Sequence, residues 1–252
     1  MSNQHENYEV LNLIGYGLAK FSTFTQVFGF SNKNSFYEYC VQVEVAETVG
    51  VVKNRQDLFD HFFDNGRKGW WQKGDAYIHR KIKIDTLFGN ENVESYVNIV
   101  KMYLQSNFDV KDFVIKVNPI IQTRFRQMQE TGLEAELFFI NNYNLIPKFK
   151  GGKLEDARLY GDGYDFQISV NENFYLAEVK GIRSSKGRLR ITENEFKKAQ
   201  EYKENYFLSV ILNLDEIPSI KIFANPLQIL DFKKIEKQSK SQIEYHLTGD
   251  IC

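Results

Sequence analysis

The segment Tyr206–Leu212 reads YFLSVIL, a run interrupted by a single small polar residue, Ser209. A strand that is apolar on both of its alternating faces belongs inside a sheet, with a covering layer on each side. The neighbouring segments supply the rest of such a sheet. Asp165–Val170 (DFQISV) and Phe174–Val179 (FYLAEV) read as adjacent strands joined by a turn at Asn171–Asn173. Thr192 followed by Glu195 is a capping box that opens a helix. Ser219–Phe223 (SIKIF) reads as a further strand. Upstream, the pattern predicts one helix from Pro119 toward Asn142, running through Gly132, with Asn118 as cap and Pro119 at the first helical position. Leu133, Leu137, Phe138 and Ile140 supply its buried side. The order helix, strands, helix, strand, strand predicts an α/β core with a central mixed sheet flanked by helices.

The first half follows another pattern, poor in Gly and Pro and mostly helical. Ser35–Thr48 begins with a good N-cap, although its β-branched residues weaken the helical reading. Asn54–Phe63 places Leu58, Phe59, Phe62 and Phe63 on one helical face. Asn90–Gln105 is the clearest helix, with Asn90 as cap and a stripe of Val93, Tyr96, Val97, Val100 and Leu104. A boundary between Ser106 and Asn118 divides a mostly helical domain, residues 1–115, from a second domain, residues 118–252. The core of the second domain ends near residue 235, and the tail adds a strand or helix.

At 42% hydrophobic and 26% charged, the 252 residues predict a folded core and exclude a disordered chain. With a net charge of -1, any nucleic-acid surface must come from local clusters of Lys and Arg. The two cysteines, Cys40 and Cys252, match no zinc spacing and make no disulfide framework, so a reducing cytoplasm is expected. The N-terminal MSNQHENYEV lacks a signal-peptide profile. No apolar run reaches the roughly 20 residues that span a bilayer, so no membrane association is expected. Gly15 and Gly17 form no dinucleotide fingerprint, His61 and His79 are too isolated for a metal site, and no Walker A lysine motif is present.

The stretch that carries chemistry is Gly161–Gly181, GDGYDFQISVNENFYLAEVKG. Alternation puts Glu178 and Lys180 on one face of their strand and Val179 on the other. A hairpin brings Asp165 beside Glu178. Two neighbouring carboxylates repel unless a cation lies between them, and oxygen-only ligation favours Mg²⁺. A lysine beside such a metal suits phosphodiester hydrolysis, where negative charge builds up on phosphorus. The apolar residues around the pair weigh against a merely solvated strand face. Directly after Lys180, the run to Arg190 holds Arg183, Lys186, Arg188 and Arg190 and no acidic residue. It reads as a solvated loop or as a set of phosphate contacts. In Gly66–Lys83, Arg67, Lys68, Lys73, Arg80 and Lys81 interleave with Trp70, Trp71 and Tyr77. Such a mixture can bind phosphates and stack on bases, and its tryptophans can equally fill a core.

The pattern Gly163-Tyr164-Asp165, then Glu178-Val179-Lys180, resembles the PD-(D/E)XK nuclease superfamily, the restriction-endonuclease-like fold, with Tyr164 where the superfamily usually has Pro. The likeness extends to the NO VEIN C-terminal-type domain found in bacterial restriction and defence proteins. Four ordered elements carry it: Gly132–Glu136 (Ala135 in place of a second Gly), Tyr164-Asp165, Glu178–Gly181 and Thr192–Glu195, within residues 118 to 225. The resemblance implies Asp165 and Glu178 as ligands of Mg²⁺ and Lys180 at the attacking water. It also implies an acidic residue on the preceding helix, Glu136 before Glu134. Helix capping accounts for Thr192 and Glu195, and Asn194 is open to a backbone or a substrate contact, with neither favoured. The function expected is a type II restriction endonuclease cutting double-stranded DNA, as a homodimer, with residues 1–115 as a DNA-recognition or accessory domain. Other nucleases and a non-cleaving DNA-binding module are the alternatives.

Overall fold

The computed structural model describes residues 7–108, 110, 113, 115, 119–128 and 131–233. The expected cap Asn118, most of the expected boundary and the tail beyond 233 lie outside the described residues.

Ten α-helices and five strands are described. The first half contributes α1 (Tyr8–Lys20), α2 (Phe24–Phe28), α3 (Lys33–Gln42), α4 (Val49–Asp60), α5 (Ile78–Phe88) and α6 (Val93–Asn107). Helix α1 is buried on nearly every side, as expected of a helix apolar all round. Its two glycines are there for packing. A Cβ on Gly15 would lie 2.5 Å from the Arg55 carbonyl oxygen of α4, and one on Gly17 would lie 2.5 Å from the Phe24 ring. Around α1, residues from Val10 to Met128 form one continuous apolar core rich in aromatic rings.

Several boundaries differ from those predicted. The cap of α6 is Asn92, whose side chain accepts the Ser95 N–H at 2.8 Å, and Asn90 lies outside the helix. Helix α3 is capped by Asn32 and stops at Gln42, ahead of the Val43–Val45 stretch and the positive φ of Glu44. Helix α4 starts five residues earlier than the reading of Asn54 as its first residue and ends at Asp60, leaving Phe62 and Phe63 to pack from a turn. Of the predicted helix from Pro119 to Asn142, α7 (Pro119–Met128) and α8 (Thr131–Asn142) are described, and residues 129 and 130 between them lie outside the described residues. They face different surroundings. Ile121, Phe125 and Met128 join the first core, and Ala135 and Phe139 join the second.

The second half is a five-stranded sheet in the order β1 (Lys153–Asp156), β2 (Phe166–Val170), β3 (Asn173–Gly181), β4 (Tyr206–Leu212) and β5 (Ser219–Ala224). Within this sheet only the β3–β4 pair is parallel, and α9 (Glu193–Tyr202) lies between these strands in sequence. The mixed sheet flanked by helices is therefore as expected. Strand β1, KLED, is an addition to the expected set: it is a short, largely exposed polar edge strand with no apolar alternation to announce it. On one face Phe166, Ile168, Tyr175, Ala177 and Val179 pack with Phe139 of α8. On the other, Leu176 and Tyr206 pack with Ala199 of α9 and with Leu227 of the short α10 (Pro226–Ile229). Strand β4 is buried on both faces, as its composition requires.

Candidate active site

Strand alternation decides which side chains meet. Tyr175, Ala177 and Val179 point toward α8, so Glu178 and Lys180 share the α9 face with Leu176. The β2–β3 register pairs Phe166 with Ala177, and the Asp165 N–H extends it by donating to the Ala177 carbonyl at 3.0 Å. One residue beyond that pair, Asp165 stands across from Glu178. The Asp165 Oδ2 accepts the Val179 N–H at 2.8 Å, which anchors this carboxylate on the backbone of the strand that carries its partner. The Lys180 ammonium bonds the Glu178 carboxylate and lies 3.1 Å from Glu195 Oε2.

Burial governs the electrostatics. Glu178 is only 3% exposed. Burial and then the neighbouring Asp165 hold its carboxyl well above the ordinary range, against the pull of Lys180. Asp165 is likewise pushed up, by burial and by the charge of Glu136, with the Val179 amide opposing. Burial disfavours the charge on Lys180, but Glu178 and Glu195 outweigh it, so this amine is held as an ammonium. Two desolvated acids raised together are a pair that a cation would relieve.

The other predicted residues fall into three groups. Glu136 of α8 is held by Arg158 at 2.6 Å, and its charge reaches Asp165. Glu134, two residues earlier, turns instead into the contact with the helical half. There it is 1% exposed and meets Tyr8 Oη at 3.0 Å, Lys83 Nζ at 3.2 Å and Arg183 at 3.7 Å. In the loop after β3, Lys186, Arg188 and Arg190 are exposed, whereas Arg183 is drawn inward to Asp215, Glu9 and Glu134.

The basic stretch of the first half is not a uniform surface. Lys68 and Lys73 are exposed. Arg67 is ion-paired to Asp57 and Asp60, and Lys81 to Asp85. Arg80 is 4% exposed, bonds the Asp215 carbonyl and lies over the Tyr8 and Tyr77 rings. That burial corrects the expectation for Arg80: it holds the fold together where no phosphate can reach it. Trp70 packs against the first core, while Trp71 is 61% exposed.

Glu195 is the residue whose part the sequence hid. Its capping box is present, with Thr192 N–H donating to Glu195 Oε2 at 2.9 Å and Glu195 N–H to Thr192 Oγ1 at 3.3 Å. Capping explains the motif locally, and only the crossover from β3 to β4 brings the same carboxylate to Lys180.

Residues 135–223 match the family model described as Protein NO VEIN, C-terminal. The matched segment begins within α8 and ends within β5, so it contains β1 to β4, most of β5 and the whole Asp165, Glu178 and Lys180 cluster. No curated protein and no solved structure matches the chain. No described helix is long and apolar enough to cross a membrane.

Whether the donor set suits a divalent cation follows from its chemistry. Among the described residues, no three His, Cys, Asp or Glu side chains form a ready-made cage. Mg²⁺ does not need one: it commonly takes one or two protein carboxylates and completes its shell with water and phosphate oxygens. The buried Glu178 and the half-buried Asp165 beside it, both with raised carboxyls, fit that requirement.

Proposed function

We propose that this protein is a Mg²⁺-dependent deoxyribonuclease of the PD-(D/E)XK type, acting on double-stranded DNA as a type II restriction endonuclease. The observation that carries this reading is the convergence of Asp165, Glu178 and the Lys180 ammonium on one face at the junction of β2 and β3.

Asp165 and Glu178 would hold the cation, with Glu136 as an outer acidic neighbour. When bound, the cation supplies charge neutralisation at the phosphate and acidifies water. Lys180, kept protonated by its two carboxylate neighbours, serves as a fixed positive charge beside the reacting phosphate and opposes the charge that develops there. Because it is held as an ammonium, its role is electrostatic and orienting rather than that of a base. Lys186, Arg188 and Arg190 extend that positive field along the DNA backbone. Residues 1–115 would serve as the recognition or accessory domain, presenting Lys68, Lys73 and Trp71. Cutting both strands suits a two-fold homodimer.

The test is incubation of the purified chain with plasmid and phage DNA in Mg²⁺, with EDTA as control. Wild type is expected to give discrete fragments, and Asp165→Asn and Lys180→Ala to give none while remaining folded and able to bind DNA. A smear would replace site-specific cutting with general nuclease activity. Intact DNA under all conditions, or full cutting by either variant, would refute the site assignment.

A further inference from the structure

The Thr192-Glu193-Asn194-Glu195 turn at the start of α9 touches both the end of β3 and the loop that leads into β2. Glu195 Oε2 lies 3.1 Å from Lys180 Nζ, at the end of β3. Asn194 Nδ2 donates to the Gly161 carbonyl at 2.6 Å, in the loop that leads into Asp165. The backbone there is close as well. Gly163 has φ +87°, and a Cβ on it would fall 2.8 Å from the Asn194 carbonyl oxygen. Tyr206 Oη donates to the Gly163 carbonyl at 3.0 Å from the other side. Capping requires none of these contacts: Thr192 and the Glu195 amide would cap α9 wherever the helix lay.

We propose that Asn194 and Glu195 are positioning residues of the active site: Asn194 fixes the approach to Asp165, and Glu195 clasps the Lys180 ammonium against Glu178. The inference rests on the nuclease reading above for its catalytic consequence and on the contacts alone for its geometry.

The clasp also has a topological effect. Lys180 precedes the basic loop and Glu195 follows it, so the ion pair closes the base of the segment that carries Lys186, Arg188 and Arg190. A loop tied at its base presents its charges at a fixed offset from the carboxylates, and catalysis is sensitive to such offsets.

Glu195→Gln tests this directly, because the amide oxygen can still accept the Thr192 N–H while the charge that holds Lys180 is gone. Asn194→Ala removes the tie to Gly161. Ala199→Gly, in the buried middle of α9, weakens the helix without touching either contact. The full chain is used throughout. E195Q and N194A are expected to lower kcat about ten- to a hundredfold, the scale set by misplaced catalytic groups. Their KM and Tm should stay close to wild type. A199G should lower Tm and keep kcat. E195D, which restores the charge on a shorter stem, should recover part of the loss.

A second measurement needs no cleavage. Reductive methylation of lysines, mapped by mass spectrometry, should label Lys180 slowly in wild type relative to the exposed Lys197, and faster in E195Q. Labelling of Lys180 should be unchanged in A199G. Unaltered Lys180 labelling in E195Q, or a kcat loss in A199G as large as in E195Q, would overturn the inference. Inert wild-type protein would refute the nuclease reading and leave the labelling comparison to decide the geometric claim.

Discussion

Glu178, a proposed metal ligand, carries a burial cost that opposes folding once it ionises. Burial next to Asp165 raises its carboxyl, so between the ordinary glutamate pKa of about 4.3 and the raised one, the folded chain holds a proton that the unfolded chain has released. The resulting stability is present at low pH and lost as pH rises through that window. Glu178→Gln should therefore leave Tm nearly unchanged in acid and raise it above neutrality. Mg²⁺ should raise Tm of wild type above neutrality and leave that of E178Q unmoved, since a ligand stabilises only the state that binds it. Thermal unfolding across pH, with and without Mg²⁺, measures both effects. Lower stability of E178Q at alkaline pH would mean that the carboxylate is a structural ion-pair partner first.

Helix α8 joins the two cores and carries two acids with different work. Glu134 sits in a buried polar cluster with Tyr8, Lys83, His79 and Arg183. Burial pushes its carboxyl up, but Lys83 and Arg183 outweigh that, so it stays ionised. The same burial drives His79 down to about 4, keeping it neutral. Among the described residues, Glu134→Ala would leave the buried Lys83 with only Glu9 as an acidic partner, and it should cost about 3–5 kcal/mol of stability, as breaking buried pairs does. Glu136 is partly exposed and paired with Arg158, so Glu136→Gln should cost no more than about 1 kcal/mol. Its effect should instead fall on cleavage. Urea unfolding beside a plasmid assay separates the two, and equal stability losses would erase the distinction.

At the scale of the whole molecule, binding of DNA as proposed would require local patches, because the chain is near neutral. Exposed cations beside the site include Lys186, Arg188 and Arg190, and those of the first half include Lys53, Lys68, Lys73 and the ion-paired Arg67. Replacing Arg188 and Arg190 by Ala should reduce the slope of log K against log salt by about 0.9 for each phosphate that is no longer neutralised. Arg80→Ala should lower Tm and leave that slope alone, because its guanidinium is committed to Asp215 and two tyrosine rings. Fluorescence-anisotropy titrations across salt concentration decide between them; a flattened slope for R80A would contradict its buried role.

The readable features of this chain are those enforced over short distances. Alternation in DFQISV and FYLAEVKG places Asp165, Glu178 and Lys180 on one hairpin. The continuous apolarity of YFLSVIL requires a central strand, and the Thr192–Glu195 spacing specifies a helix start. Each follows from steric and solvation rules that act within a few residues. What the sequence could not reveal depends on partners far along the chain. Arg80 is buried because Tyr8, Tyr77 and the Asp215 carbonyl surround it, and Glu195 reaches Lys180 because a crossover folds α9 back onto β3. Such contacts come from packing in three dimensions, where one charged side chain looks the same in sequence whether it meets water, a ring or another charge.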